Sequence, residues 1–347
     1  MNAQHIRSFP SFVRRGWGGR VNIPLPHPAS HYKGEVSTNE RGIALILALL
    51  VLSLLVALIL EFDAEARREL KEAAVFRDGL RASALSRAAV QAMRAVLKED
   101  MRRKQPLGIK SDALTDLWAT PLTNFPLGEG TLTARLEDER GKLNINLLAS
   151  QTDDTARKAI IAKVRRLFEA VEVDTRLVDP LVDWIDTDEI QEPSGAETIY
   201  YESLTPPYKC ANGALQSLGE LYLIKGFTDE VVRRLRPYVT IYPTDGWINL
   251  NTADARVIYT LSPQITMPLA QAVAQGRPFR TIQDADSVAG FEPIAKALRL
   301  ADAYRVNSDT FSTTATLTIN EVTKVVTIVL QRSGEQGDSG VLALRSD

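Results

Sequence analysis

Eight carboxylates stand between Asp179 and Glu202 (Asp179, Asp183, Asp186, Asp188, Glu189, Glu192, Glu197 and Glu202), with no lysine or arginine among them. Charges of one sign this close repel one another unless water or a cation neutralises them. Asp183 and Asp186 are three residues apart, which puts their carboxylates on one face of a helix ending near Ile185. Asp188 and Glu192 follow on a loop that Pro193 and Gly195 turn back. Hard oxygens from a helix end and its loop are the ligands Ca²⁺ takes, about six to eight of them at roughly 2.4 Å. The EF-hand formula is not met, because with Asp186 as first loop position the sixth is Gln191 and not glycine. Spacing alone leaves both a bound cation and a solvated acidic loop open.

Other chemistry is poorly supplied. The three histidines, His5, His27 and His31, all lie in the first 31 residues, so the rest of the chain has no imidazole for a triad, a general base or a zinc site. Paired carboxylates such as Asp183 and Asp186 can serve hydrolysis, but no other motif marks a substrate cleft, and the chain is expected not to be an enzyme. Cys210 is the single cysteine, which rules out an internal disulfide and a cysteine-rich zinc site. Lysine and arginine total 41 against 43 acids, a net charge of −2 that gives no global field to recruit nucleic acid.

The elements that position the acidic stretch begin with an anchor. Residues 43–60 read IALILALLVLSLLVALIL, with Ser53 the sole polar side chain. As a helix this run covers about 27 Å, close to the hydrocarbon thickness of a bilayer. Arg7, Arg14, Arg15, Arg20, Lys33 and Arg41 precede it and Glu61, Asp63 and Glu65 follow, an asymmetry that orients the chain from cytoplasm to outside, with its bulk in a periplasm or its equivalent. An amphipathic pattern continues through Leu70, Ala74, Leu85, Ala92, Val96 and Leu97, extending one helix over 43–104, roughly 90 Å long. A plain single-pass anchor with a stalk satisfies the same pattern.

Beyond Pro106, Pro121 and Pro126 the alternation of Leu132, Ala134 and Leu136 predicts a strand over 130–139. A second alternating pair, 314–319 and 324–330, predicts a hairpin. Between them the chain reads as helical over 154–172, 178–185, 217–224, 229–238, 253–261, 267–274, 282–288 and 293–304. Residues 333–347, with Gly334, Gly337 and Gly340, read as a flexible tail. One repeat is visible: Gly141-Lys-Leu-Asn-Ile-Asn146 and Gly246-Trp-Ile-Asn-Leu-Asn251, 105 residues apart. Asn146 and Asn251 are placed to cap helix starts. The second copy opens like a helix-hairpin-helix unit, but the glycine hairpin that grips a phosphate is replaced by Leu261-Ser-Pro-Gln-Ile-Thr266. Five basic residues against four acids over 247–300 make no basic patch. A membrane-anchored protein whose helical modules bind DNA is the competing reading, and no nucleic acid is expected.

The junction Asn39-Glu40-Arg41-Gly42-Ile43 resembles a type IV prepilin leader, cut after Gly42 by prepilin peptidase and N-methylated on Ile43. The fifth residue of the resulting chain is Leu47 where most such subunits carry glutamate; an acid there costs about 3 kcal/mol unless a neighbouring subunit's terminal amine pairs with it. Together with Asp183-Trp-Ile-Asp186, Gly195-Ala-Glu197, Tyr200-Tyr201 and Pro206-Pro-Tyr208, this junction resembles the K-type minor pseudopilins of the bacterial type II secretion system (general secretion pathway protein K). The resemblance implies an α+β pseudopilin fold: a long N-terminal helix on a small antiparallel sheet, with a large helix-hairpin-helix-like (SAM-like) α-helical domain inserted into the sheet. It divides the chain into a leader (1–42), the membrane-spanning and amphipathic helix (43–104), the first part of the sheet (105–145), the inserted domain of two related modules (146–305), the C-terminal hairpin (306–332) and the tail (333–347). It further implies an inner-membrane protein with a periplasmic head at the pseudopilus tip, partnered by I-type and J-type minor pseudopilins, prepilin peptidase and the inner-membrane secretion platform. Calcium in the helical domain is also implied, with Asp183, Asp186, Asp188, Glu192 and Glu197 as ligand candidates.

Overall fold

The computed structural model describes residues 38–149, 154–242, 245–333 and 338–346. Two units are distinct, 1–68 and 69–347. The described part of the first is wholly helical and belongs to α1 (Thr38–Lys104). Its leucines, isoleucines and valines over 43–60 are all exposed, and it is the one helix among the described residues long and apolar enough to cross a membrane. Most of the predicted leader, 1–37, lies outside the described residues.

In the second unit α1 ends where Pro106, which has no N–H to donate, tightens the chain into a 3-10 turn closed by left-handed Gly108. The chain then forms β1 (Leu122–Leu127), β2 (Gly130–Ala134) and β3 (Glu137–Asp138). A helical region follows: β4 (Leu143–Asn144), α2 (Asp154–Ala170), α3 (Val178–Ile185), α4 (Thr198–Glu202), α5 (Asp229–Leu235) and β5 (Val239–Thr240) make its first half. The second half is β6 (Ile248–Asn249), α6 (Ala255–Thr260), α7 (Met267–Gln275), α8 (Glu292–Leu300) and β7 (Tyr304–Arg305). The chain returns to the sheet through β8 (Thr310–Ile319), β9 (Val322–Ser333) and β10 (Asp338–Ser346).

The main sheet runs β1-β2-β8-β9-β10, antiparallel at each pairing, with β3 also on β8. The helical region therefore interrupts a sheet whose strands come from both sides of it. Ala89, Val90, Met93 and Leu97 of α1 pack on Leu132, Phe311, Leu317, Val326 and Ile328 of the sheet and on Trp118. The end of α1 is fixed by charge as well: buried Lys104 donates to Asp112 (2.9 Å) and Asp116 (2.5 Å) and pairs with Asp100 at 2.7 Å, and Arg332 of β9 also reaches Asp112. A separate apolar core, including Phe168, Trp184, Tyr201, Leu250, Phe291 and Tyr304, holds the helical region together.

The residues read as a flexible tail contain β10, which extends the sheet from Asp338 opposite Ser333 to Ser346 opposite Val326. As an edge strand with Val341, Leu342 and Leu344 all half-exposed, β10 has no two-residue apolar alternation to announce it. The strand expected over 130–139 breaks after Ala134 into β2 and β3.

The two copies of the repeat make matching contacts, and their asparagines Asn146 and Asn251 work otherwise than as helix caps. Leu143 pairs in parallel with Val239, and Ile248 with Tyr304. Asn144 and Asn249 accept from the N–H groups of Asn146 and Asn251 at 2.9 and 3.0 Å. Asn146 grips Leu215, donating to its carbonyl (2.9 Å) and accepting from its N–H (2.8 Å); Asn251 does the same to Phe279 (2.8 and 2.8 Å). A side-chain amide carries a donor and an acceptor, as a peptide group does, and so pairs with the backbone of a distant loop. Capping of α6 falls instead to Asp254.

The modules meet reciprocally. A side chain begun on Gly141 would lie 2.9 Å from Thr252, and one begun on Gly246 would lie 2.9 Å from Leu147. Leu147 and Thr252 are 105 positions apart, as are Arg140 and Asp245, which form an ion pair. Arg140 also forks onto Asp309 at 2.8 Å twice and lies over Trp247 at 3.7 Å. Arg140→Ala should therefore lower stability by about 2 kcal/mol in chemical denaturation, since both acids retain some solvent. Arg140→Lys should recover only part, because an ammonium neither forks nor stacks.

Candidate acidic site

The acidic stretch joins α3 to α4. Every residue of α3 is buried, and Trp184 meets Tyr201 of α4 edge to face at 5.0 Å, with Tyr201 in turn 5.4 Å from Tyr208. This aromatic packing fixes the two helix ends between which the loop runs. Asp186 is the residue that closes α3, and Glu197 the one that opens α4.

Of the five expected ligands, three converge. Carboxylate oxygens of Asp186, Asp188 and Glu197 lie within 4.8 Å of one another. Asp186 Oδ1 and both oxygens of Glu197 are buried without a hydrogen-bond partner among the described residues. Burial, reinforced by neighbouring carboxylates, pushes the Glu197 carboxyl up to about 7. Burial likewise pushes Asp186 up to about 6, against the pull of Arg157. Arg157 of α2 donates to Asp186 Oδ2 and stands 3.7 Å from Asp188.

Asp183 and Glu192 are placed differently. The Asp183 carboxylate is wholly buried and accepts from the N–H groups of Glu192 (3.1 Å) and Ala196. It builds the loop's backbone, while its charge still acts on Glu197 and Asp186. Glu192 contributes that N–H, and its side chain is outside the converging group. Asp179 holds the same loop from the next turn, accepting from Ser194 (3.2 Å) and Arg165 (2.8 Å). Gly195 lies so close to Asp183 that a Cβ there would stand 1.9 Å from its Oδ2. Lys225 secures the outside, donating to Gly195 O (2.9 Å) and lying over Tyr200.

A second group of acids, Asp100, Asp112 and Asp116, also converges, but Lys104 sits among them. At the α6–α7 hairpin, Arg166 stacks on Tyr259 at 3.7 Å and donates to the carbonyls of Tyr259 (2.8 Å) and Ile265 (2.9 Å).

Sequence comparisons bear on both the head and its helical insert. Two family models described as type II secretion system protein K match residues 141–244 and 248–307. Type II secretion system protein K of Aeromonas hydrophila is 32% identical over 226 residues, 61% of this chain and 67% of that protein. The chain belongs to the type II secretion system protein K family. The protein K of Pseudomonas aeruginosa is 29% identical over 260 residues, 72% of this chain and 75% of its own length. A solved structure, the GspK-GspI-GspJ complex from enterotoxigenic Escherichia coli, has a chain matching with a TM-score of 0.66 at 23% identity, over 78% of this chain and 97% of that one.

The protein K fold is thus a pseudopilin fold with a helical domain inserted into its sheet, and this chain is a minor pseudopilin of type II secretion. Matches of the two family models fall on the two repeat modules, the first starting at Gly141 and the second two residues after Gly246. The junction expected to be the leader's end lies inside α1, which runs unbroken through Gly42 and Ile43 with open space around Gly42. The apolar run that follows fits a single-pass membrane anchor.

Proposed function

We propose that this chain is the tip subunit of a periplasmic pseudopilus, where it nucleates or caps assembly without catalysing a reaction. The helical domain inserted between β3 and β8 carries this reading, since a bulk of that size on one end of a pilin-like sheet leaves no room for a further subunit above it. Leu47 supports it, because an apolar residue there needs no partner amine overhead. The neighbouring structure holds GspK with GspI and GspJ, which supports I-type and J-type minor pseudopilins as partners here. Prepilin peptidase would cut between Gly42 and Ile43 and methylate Ile43, and the inner-membrane platform would receive the anchored chain, its head in the periplasm.

The same proposal includes Ca²⁺ at the acidic site. Three buried carboxylate oxygens without partners, on two residues whose protons are held above the usual range, fit a hard cation. Asp186, Asp188 and Glu197 would hold it. Bound there, it would supply positive charge that ties the end of α3 to the start of α4.

Recovery of the full chain from membranes tests the assembly reading. N-terminal sequencing and intact mass should give a start at N-methylated Ile43, with I-type and J-type subunits co-purifying in comparable amounts. A terminus at Met1, or a cut beyond Leu60, would overturn it.

A further inference from the structure

The acidic site contains a fixed positive charge that spacing within the acidic stretch does not reveal. Arg157 lies 29 residues before Asp186, on α2, and its guanidinium takes Asp186 Oδ2 while approaching Asp188 at 3.7 Å. Asp186 thereby offers opposite faces to two different charges. Oδ2 is held by Arg157, and Oδ1 is buried without a partner among the described residues, as are both oxygens of Glu197, whose carboxylate converges with that of Asp186. A side chain that grips the outer oxygen of a ligand carboxylate fixes where the inner one points.

From this geometry we infer that Arg157 is a specificity-determining residue of the cation site, its positive charge weighing against a trivalent ion more than against a divalent one. The guanidinium takes one unit from the negative charge that Asp186, Asp188 and Glu197 present together with the nearby Asp183 and Glu189. Without Arg157 the site is one unit more negative, and the balance moves towards the trivalent ion. The inference rests on the Ca²⁺ reading of the site above.

Calcium and terbium distinguish the two states, because both take hard oxygen ligands and differ chiefly in charge. Absolute affinity for either ion is a poor readout. Loss of Arg157 removes repulsion and at the same time loosens Asp186, and the two effects oppose. In the ratio of Tb³⁺ to Ca²⁺ affinity the loosening largely cancels, leaving one extra unit of charge interaction a few ångströms away, worth roughly tenfold at a partly buried site.

The experiment uses the detergent-solubilised full chain, with Tb³⁺ emission sensitised by the neighbouring Trp184 and displaced by Ca²⁺. Arg157→Gln and Arg157→Met, the second keeping the aliphatic stem, should each raise the Tb³⁺/Ca²⁺ ratio about tenfold. Arg157→Lys, which keeps the charge, should leave it within about threefold of the unsubstituted chain. A ratio unchanged in both neutral variants, with Ca²⁺ still bound, would overturn the role of Arg157 and leave the calcium site standing. If the unsubstituted chain takes up neither ion, the calcium reading falls and this inference falls with it.

Discussion

Gly195→Ala should destabilise the helical domain by about 4 kcal/mol, although it adds one methyl to a loop. The new Cβ would stand 1.9 Å from Asp183 Oδ2, a distance no side chain tolerates, and the obstacle is a wholly buried carboxylate. Either the loop retreats or Asp183 turns away. Both movements strip Asp183 of the N–H groups of Glu192 and Ala196, and a buried acid without its donors costs about 1–3 kcal/mol or more. Overpacking adds a similar amount. The retreat would also pull Gly195 O from Lys225. Gly213→Ala is the control, because its Cβ would meet nothing nearer than 3.6 Å, and it should change stability by less than about 0.5 kcal/mol. Urea denaturation of the two variants checks this; a loss under about 1 kcal/mol for Gly195→Ala would mean the loop is free to move.

The acidic stretch shows where sequence reading succeeds and where it stops. Asp183 and Asp186 are equivalent by spacing, since they stand three residues apart at the end of an expected helix. What separates them is the path of the returning chain, whose N–H groups at 192 and 196 arrive at Asp183 and pass Asp186 by. That path depends on Lys225 and on the aromatic packing of Trp184 with Tyr201, contacts between residues distant along the chain. Arg157 is invisible for the same reason. The apolar run over 43–60 and the repeat at Gly141 and Gly246 were legible because they are local patterns of composition and order. The meaning of the repeat was not: Asn146 and Asn251 stand where a cap is expected, yet their partners, Leu215 and Phe279, are contributed by loops far along the chain.

The acidic site should also make stability depend jointly on pH and calcium. With Ca²⁺ chelated, Asp186 and Glu197 hold their protons to about 6 and about 7, well above the ordinary carboxylate value near about 4. Between those limits the folded chain binds protons that the unfolded chain has already released, so stability falls as pH rises through the window from about 4 to 7. Calcium reverses the slope, because it binds the carboxylates only as their protons leave. The gain in melting temperature on adding Ca²⁺ should therefore be small at pH 5 and greatest near pH 7.5. With free Ca²⁺ at about a hundred times its Kd, the gain there is roughly 2.7 kcal/mol, or about 5–10 °C for a head of this size. Asp138, buried and pushed up to about 6 beneath Asn249, Thr252 and Ser308, titrates in the same window without touching this site. The difference between calcium and chelator at each pH removes its contribution. Glu197→Gln should melt no lower than the unsubstituted chain in chelator at pH 7.5, since it replaces a buried charge by a neutral amide of the same shape. It should also lose most of the calcium gain. A calcium gain of equal size at pH 5 and 7.5, or one that survives Glu197→Gln, would place the ion elsewhere on the chain.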